Sequence, residues 1–224
     1  MITWIANRIM SRRAIRLFQR IRPHLPDSGV IADIGSGTGH NGEALRERAG
    51  LQVLEFDVDD LHWVGPAPSR IVNGRIPADD DSVDAALLLF VLQYPANAPQ
   101  VLREAARVSS GSVIVLQSTH EGRFAKGVLK VREFFFGRFG FFLARVAGLV
   151  PARSCPLMPE RYFTSAGLMQ AFDDAGLAVV ATEPESMPFI RLRRELFVLR
   201  PGREANECRI RNSPSSSRLA MKSG

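Results

Sequence analysis

Cysteine is scarce in this chain of 224 residues: Cys155 and Cys208 are the only two, and they sit in unrelated segments. Neither a disulfide framework nor a thiolate metal centre can be read from them, and a reducing compartment, the cytoplasm, is the expected home. Long apolar runs are missing as well. The longest Phe-rich stretch, Phe134 to Val150, is broken by Arg138 and Arg145, and it falls short of the roughly 20 apolar residues of a spanning helix. The N-terminal residues carry arginines throughout and lack a continuous apolar centre, which argues against a secretory leader. Acid is absent from residues 1–24, which hold six arginines. Residues 200–224 add six basic residues against two acids, so the remainder is mildly acidic, with 17 basic and 21 acidic residues. A pI near 10.1 therefore reflects the two ends rather than a reading motif, and no nucleic-acid partner is expected.

The rest of the chain has the makings of one sizeable core, with 46% hydrophobic residues. Met10, Ala14, Leu17, Phe18 and Ile21 recur at helical spacing, with Arg8, Arg12, Arg16 and Arg20 on another face. Residues 1–24 therefore read as an amphipathic helix, stopped by Pro23 and Pro26. The segment that follows, SGVIADIG, reads as a buried strand opening into a glycine-rich loop, with a helix over Gly42 to Arg48. Strands are expected at Leu51 to Phe56, Val83 to Leu89 and Ser112 to Gln117, with a helix at Pro99 to Val108. This alternation predicts a Rossmann-like α/β three-layer sandwich with a mostly parallel sheet. A helix at Ser165 to Ala175 and strands at Leu177 to Thr182 and Leu192 to Leu199 end it, the last two as a hairpin-like pair leaving one strand antiparallel. The main domain spans residues 25–200, residues 120–162 form an aromatic-rich cap insertion, and residues 201–224 read as a disordered tail.

The most informative string is Asp33-Ile34-Gly35-Ser36-Gly37-Thr38-Gly39, between a predicted strand and a predicted helix. Glycines there let backbone N–H groups approach a ligand and allow a tight turn. Gly37, Gly39 and Gly42 match the dinucleotide fingerprint, and Asp57 lies at the distance of a ribose-binding acid, so spacing alone leaves a nicotinamide-dependent oxidoreductase open. Asp33 shifts the balance. A carboxylate beside a pyrophosphate is electrostatically unfavourable, whereas it suits a ligand carrying an ammonium group.

With DIGSGTG (33–39), FDVDD (56–60), IPADDDSVDAALLLFVLQY (76–94) and FTSAGLMQAFDDAGLAVV (163–180), the chain resembles the class I S-adenosylmethionine-dependent methyltransferases, in their broad small-molecule (type 11-like) group. The resemblance implies S-adenosylmethionine as cofactor. It assigns the methionine end to Asp33, Gly35, Ser36, Gly37, Thr38 and Gly39, and the ribose hydroxyls to Asp57 with Val58 beside it. At the adenine end the acid common in relatives is missing; Asn73, Gly74, Arg75 and Ile76 are expected to enclose the ring, and Phe90 to close over the cofactor. Asp79, Asp80 and Asp81 read as a solvated turn, and no metal is predicted.

Methyl transfer depends largely on positioning, so a protein base is optional. His120, after the strand Ser112 to Gln117, is the candidate base, set against the plainer reading of an exposed loop histidine. Gln93 and Tyr94 lie at the neighbouring strand end. Seven of the 14 phenylalanines fall within residues 120–162, which points to a small, largely apolar acceptor of lipid, polyketide, polyene or quinone type. The same rings also suit a helical cap core or a dimer contact. The N-terminal helix either packs over the cofactor site or rests on an anionic membrane surface. A non-catalytic partner subunit that keeps the fold is the third reading.

Overall fold

The computed structural model describes residues 2–135, 142, 145–146, 159–187 and 192–202. Both cysteines, residues 136–141, 143–144 and 147–158 of the expected cap, and the expected tail beyond residue 202 lie outside them. The elements in chain order are α1 (Ile2–Ile21), a 3₁₀ turn (Arg22–His24), β1 (Val30–Ile34), α2 (His40–Ala49), β2 (Gln52–Asp57), β3 (Ser69–Arg70) and β4 (Val83–Leu89). They continue with α3 (Ala98–Val108), β5 (Ser109–His120), α4 (Gly122–Glu133), α5 (Ser165–Asp174), β6 (Leu177–Met187) and β7 (Leu192–Pro201).

Seven strands form one sheet in the order β3-β2-β1-β4-β5-β7-β6. The pairs from β3 to β5 are parallel, and β7 runs antiparallel to both its neighbours. The expected single reversed strand is therefore β7, inserted between β5 and β6. Strand alternation sorts the side chains into two cores. On one face Ala32, Ile34, Ala86, Leu88, Val113 and Val115 pack against α3 and α5. On the other Ile31, Ala85, Leu87, Ile114, Leu116 and Leu196 meet α1 and α2. These are the three layers. A register shift between the pairs Val83/Ser109 and Ala85/Ser112 places one extra residue in β5.

Local chemistry sets the helix ends. The Asn97 side chain accepts from the Gln100 N–H at 3.2 Å to start α3, and Thr164 Oγ1 accepts from the Gly167 N–H at 3.1 Å to start α5. Helix α1 has Ala14, Leu17 and Ile21 on its buried face. Its course is fixed at three points: Asn7 meets His40 at the start of α2, Arg13 lies 5.4 Å from the Phe90 ring at the end of β4, and Arg20 binds Glu185 and the Glu183 and Arg194 carbonyls. It thus straps the C-terminal edge of the sheet. No helix among the described residues is long and apolar enough to cross a membrane.

Candidate functional site

The C-terminal ends of β1 and β2 carry three acids on one face. Asp33 pairs in register with Glu55, and Asp57 follows two residues later on the same side of β2. All three are buried. Neither Asp33 oxygen has a hydrogen-bond partner among the described residues. Burial, reinforced by the charges of Glu55 and Asp57, pushes the Asp33 carboxyl up to about 7, with Arg46 acting in the opposite direction.

Above these acids runs the loop 35–39. Gly35 turns the chain off β1 with φ +74°, and its N–H reaches the Phe56 carbonyl at 2.7 Å. A Cβ at Gly35 would lie 2.6 Å from Val91 Cγ2, so both backbone conformation and space demand glycine. Gly37, at φ +58°, has open space where a Cβ would be. Its N–H donates to Asp57 Oδ2 at 2.8 Å, and the Val58 N–H donates to Asp57 Oδ1 at 2.7 Å. Each Asp57 oxygen thus accepts one backbone bond and keeps acceptor capacity for a ligand hydroxyl. Val58 itself is exposed, beside this carboxylate.

Three residues with no expected role hold the loop in place. Glu55 is paired with Arg46 and lies 3.8 Å from His62 Nε2. His62 Nε2 is 2.9 Å from Ser36 Oγ while its Nδ1 faces the Pro66 carbonyl, which fixes the proton on Nδ1. His40 bridges Thr38 Oγ1 and Asn7, with the Trp63 ring edge-on to it. Burial lowers the His40 pKa. Gly42 has a different use from the dinucleotide fingerprint: a Cβ there would stand 2.3 Å from Glu55 Oε1. The one available signal was Glu55 itself, an acid inside an otherwise apolar strand.

The adenine-side expectation meets a specific local structure. Asn73 and Gly74, at φ +54° and +73°, are the central pair of a tight hairpin turn closed by the Val72 and Arg75 backbone bonds. Asn73 and Arg75 are exposed there, and Ile76 is a core residue whose N–H donates to Glu104. Phe90, at φ +63°, lies at the β4 edge under Arg13. Among the described residues no group of three metal-ligand side chains occurs; Asp80 pairs with Arg107.

His120 is the last residue of β5 rather than part of a following loop, because the strand extends along β7 as far as the pair His120 and Leu192. It is buried, its N–H donates to the Phe163 carbonyl at 3.0 Å, and its Nδ1 has no partner among the described residues. Ser118 Oγ, on the same face of β5, is likewise buried and unpartnered among them. Gln117, on the opposite face, donates to Gln93 Oε1 at 3.1 Å. Polar side chains thus lie on both faces of β5 at its C-terminal end, Ser118 and His120 on one and Gln117 on the other, at the sheet edge where ligands of open α/β sheets gather.

A buried carboxylate without a partner among the described residues at the start of the glycine loop, and a second carboxylate with spare acceptor capacity, fit S-adenosylmethionine better than a pyrophosphate. The sheet order also departs from the 3-2-1-4-5-6 of dinucleotide-binding folds by inserting β7.

Residues 32–116 match the family model described as "Methyltransferase domain". The demethylmenaquinone methyltransferase of Tropheryma whipplei (strain Twist) is 28% identical over 137 residues, covering 54% of this chain and 52% of that protein. The chain thus spans about half the length of the curated relatives it matches. Among solved structures, the complex between the Haloferax volcanii Trm112 methyltransferase activator and a methyltransferase aligns with TM-score 0.59 at 17% identity, over 86% of this chain and 93% of that one. The geranyl diphosphate C-methyltransferase of Streptomyces coelicolor A3(2), solved with S-adenosyl-L-homocysteine, aligns with TM-score 0.58 at 14% identity, over 83% of this chain and 75% of that one.

Proposed function

We propose that this chain, which carries a methyltransferase domain on the class I S-adenosylmethionine-dependent methyltransferase fold, transfers a methyl group from S-adenosylmethionine to a small, largely apolar acceptor. The observation that carries this reading is Asp33: a buried carboxylate with no partner among the described residues, flanked by two further acids, under a loop that delivers backbone N–H groups. Such a place attracts a cation. The cofactor brings an ammonium group and, on its sulfonium, the electrophilic methyl that the acceptor takes up.

In this reading Asp33 and the loop 35–39 hold the methionine end, Asp57 accepts from the ribose hydroxyls, and Phe90 flanks the site. Asn73, Gly74, Arg75 and Ile76 retain only a secondary part at the adenine end, since the turn already accounts for the first two. His120 takes the proton from an acceptor hydroxyl or acidic carbon. Its burial at the strand edge, and an Nδ1 and a Ser118 Oγ without partners among the described residues, support that role. The apolar acceptor is supported by the Phe-rich segment 120–162 and by the demethylmenaquinone named for the Tropheryma protein, while the geranyl diphosphate named for the Streptomyces protein joins an apolar chain to a charged diphosphate. A cytoplasmic setting suits the low cysteine content.

Calorimetric titration with S-adenosylhomocysteine, NADH and NADPH tests the cofactor. Binding of S-adenosylhomocysteine alone is expected; binding of a nicotinamide cofactor instead would overturn the reading. Methyl transfer is then sought with labelled S-adenosylmethionine and a panel of prenylated quinols, polyenes and polyketides. Cofactor binding without transfer to any apolar acceptor would favour the non-catalytic partner.

A further inference from the structure

Two helices on one side of the sheet present apolar faces that no other described residue covers. Helix α1 is held near its start through Asn7 and His40 but leaves apolar side chains outward there: Trp4 is 63% exposed and Ile9 59%, with Ile5 exposed between them. Helix α4 buries Ala125 and Leu129 against Leu192, while Phe124 is 78% exposed and Val131 and Phe134 more than half exposed. Positions 124, 131 and 134 fall on one stripe of a helix. Leu192 shares its strand face with Leu196 and Val198, which pack in the core beneath α1. Both helices therefore lie on the same side of the sheet, and both reach its C-terminal edge, α1 over Phe90 and α4 directly after His120.

Cations are interleaved with these apolar side chains. Arg8, Arg12 and Arg16 are exposed on α1, and Lys126 and Lys130 on α4. The Arg8 guanidinium stands 5.2 Å from the Trp4 ring. Residues 1–24 contain no acid, and residues 122–146 contain Glu133 against Arg123, Lys126, Lys130, Arg132, Arg138 and Arg145. A second copy of the chain would bring like charges together. A nucleic acid would satisfy the cations but leave Ile5, Ile9 and Val131 in water. An anionic bilayer surface satisfies both sets, since apolar side chains enter the acyl boundary while arginine and lysine meet lipid phosphates.

We propose that α1 and α4 together dock this protein on an anionic phospholipid bilayer, so that the edge bearing His120 faces the membrane from which an apolar acceptor is drawn. The docking stands on the surface alone; what it serves rests on the methyl-transfer reading above.

The test is partitioning of the full chain onto vesicles of phosphatidylcholine alone and of phosphatidylcholine mixed with phosphatidylglycerol. Preferential recovery with the mixed vesicles is expected, with a blue shift of tryptophan emission that is lost in Trp4→Phe while Trp63 still reports. Phe124→Glu and Phe134→Glu should each weaken partitioning about tenfold or more, and Arg12→Gln with Lys126→Gln and Lys130→Gln should reduce the preference for the anionic vesicles. Equal recovery with both vesicles, recovery with neither, a dimer abolished by Phe124→Glu, or preferential capture by a single-stranded oligonucleotide would each overturn the proposal. S-adenosylhomocysteine affinity measured without vesicles should not change in these variants. Loss of that affinity in the unsubstituted chain, with partitioning intact, would fail the cofactor reading and leave the docking standing.

Discussion

Replacing Asp33 with asparagine should separate what this carboxylate does for the ligand from what it costs the fold. Its carboxyl is pushed from the usual 3.8 to about 7, by burial first and then by Glu55 and Asp57. In the folded chain it holds its proton where an unfolded chain would release it. Stability is therefore fully present below pH 3.8, falls as the pH rises from there to about 7, and is flat above. A shift of about three units corresponds to roughly 4 kcal/mol at pH 8. The substituted side chain carries no charge and escapes that penalty, but leaves a buried amide unsatisfied at about 1–3 kcal/mol. The net expectation is a variant more stable by roughly 1–3 kcal/mol at pH 8, a rise of about 2–10 °C in Tm, with the gain lost by pH 4.

Ligand binding should move in the opposite direction. A cation binds the ionised carboxylate, so the apparent affinity scales with the ionised fraction. With a pKa of about 7, S-adenosylhomocysteine, which keeps the ammonium, should bind about twofold more weakly at pH 7 than at pH 8, and about tenfold more weakly at pH 6. Asp33→Asn should flatten that profile and weaken binding at pH 8 by about 1.5–3 kcal/mol. Glu55 and Asp57 on β2, Arg46 on α2 and His62 on the following loop share this environment, so Glu55→Gln is the control for the rest of the cluster. Calorimetry at three pH values and thermal melts suffice. A pH-independent wild-type affinity, or an Asp33→Asn variant that binds as tightly and melts no higher, would refute the argument.

The other predictions are more local. Asp57→Ala should weaken S-adenosylhomocysteine binding by about 1.5–3 kcal/mol and also lower the Tm, because the Gly37 and Val58 N–H groups lose their acceptor; unchanged affinity in calorimetry would exclude its ribose role. His120→Ala should slow turnover by about 10²–10⁴-fold at unchanged S-adenosylhomocysteine affinity, and full activity would leave positioning alone as the mechanism. Gly42→Ala should cost about 1–3 kcal/mol by driving a methyl into Glu55, and Glu55→Ala should relieve most of that cost in a double-mutant cycle of denaturant midpoints.

Sequence patterning captured the elements whose burial is complete. Within the strand at 83–89, Ala85 to Leu89 form a continuous apolar run because both faces are covered, and such a run is visible without coordinates, whereas the strands at 30–34 and 52–57 mix apolar residues with the acids Asp33, Glu55 and Asp57. Strand β3 escaped because its two residues, Ser69 and Arg70, are exposed at the sheet margin and show no pattern. Strand β5 was drawn too short: Ser118 and His120 are polar, and only pairing with β7 keeps them in the sheet. The loop 35–39 and Asp57 were legible because glycine and an acid at a strand end have few other uses. The clamp of His40, His62 and Asn7 was not, since it joins residues far apart in the chain through ring nitrogens that carry no spacing signature. Asn73 carries two signals at once, because Asn followed by Gly is also the pair favoured in a tight hairpin turn, and that turn forms.

The cluster of acids also bears on how a cycle would end. Methyl transfer turns a sulfonium into a neutral sulfide, so the product carries one positive charge fewer than the cofactor. In a site that pairs one of its three buried carboxylates with Arg46 and leaves Asp33 without a partner among the described residues, that lost charge weakens the attraction for the product relative to the cofactor. The ammonium group is common to both and, on the proposed reading, would orient each on Asp33, whereas the sulfonium alone distinguishes them. On the proposed reading, the same acids whose burial is costly to the fold would favour exchange of spent for fresh cofactor. Neutralising Glu55 with Gln should narrow the affinity gap between S-adenosylmethionine and S-adenosylhomocysteine, and an unchanged gap would place the discrimination elsewhere.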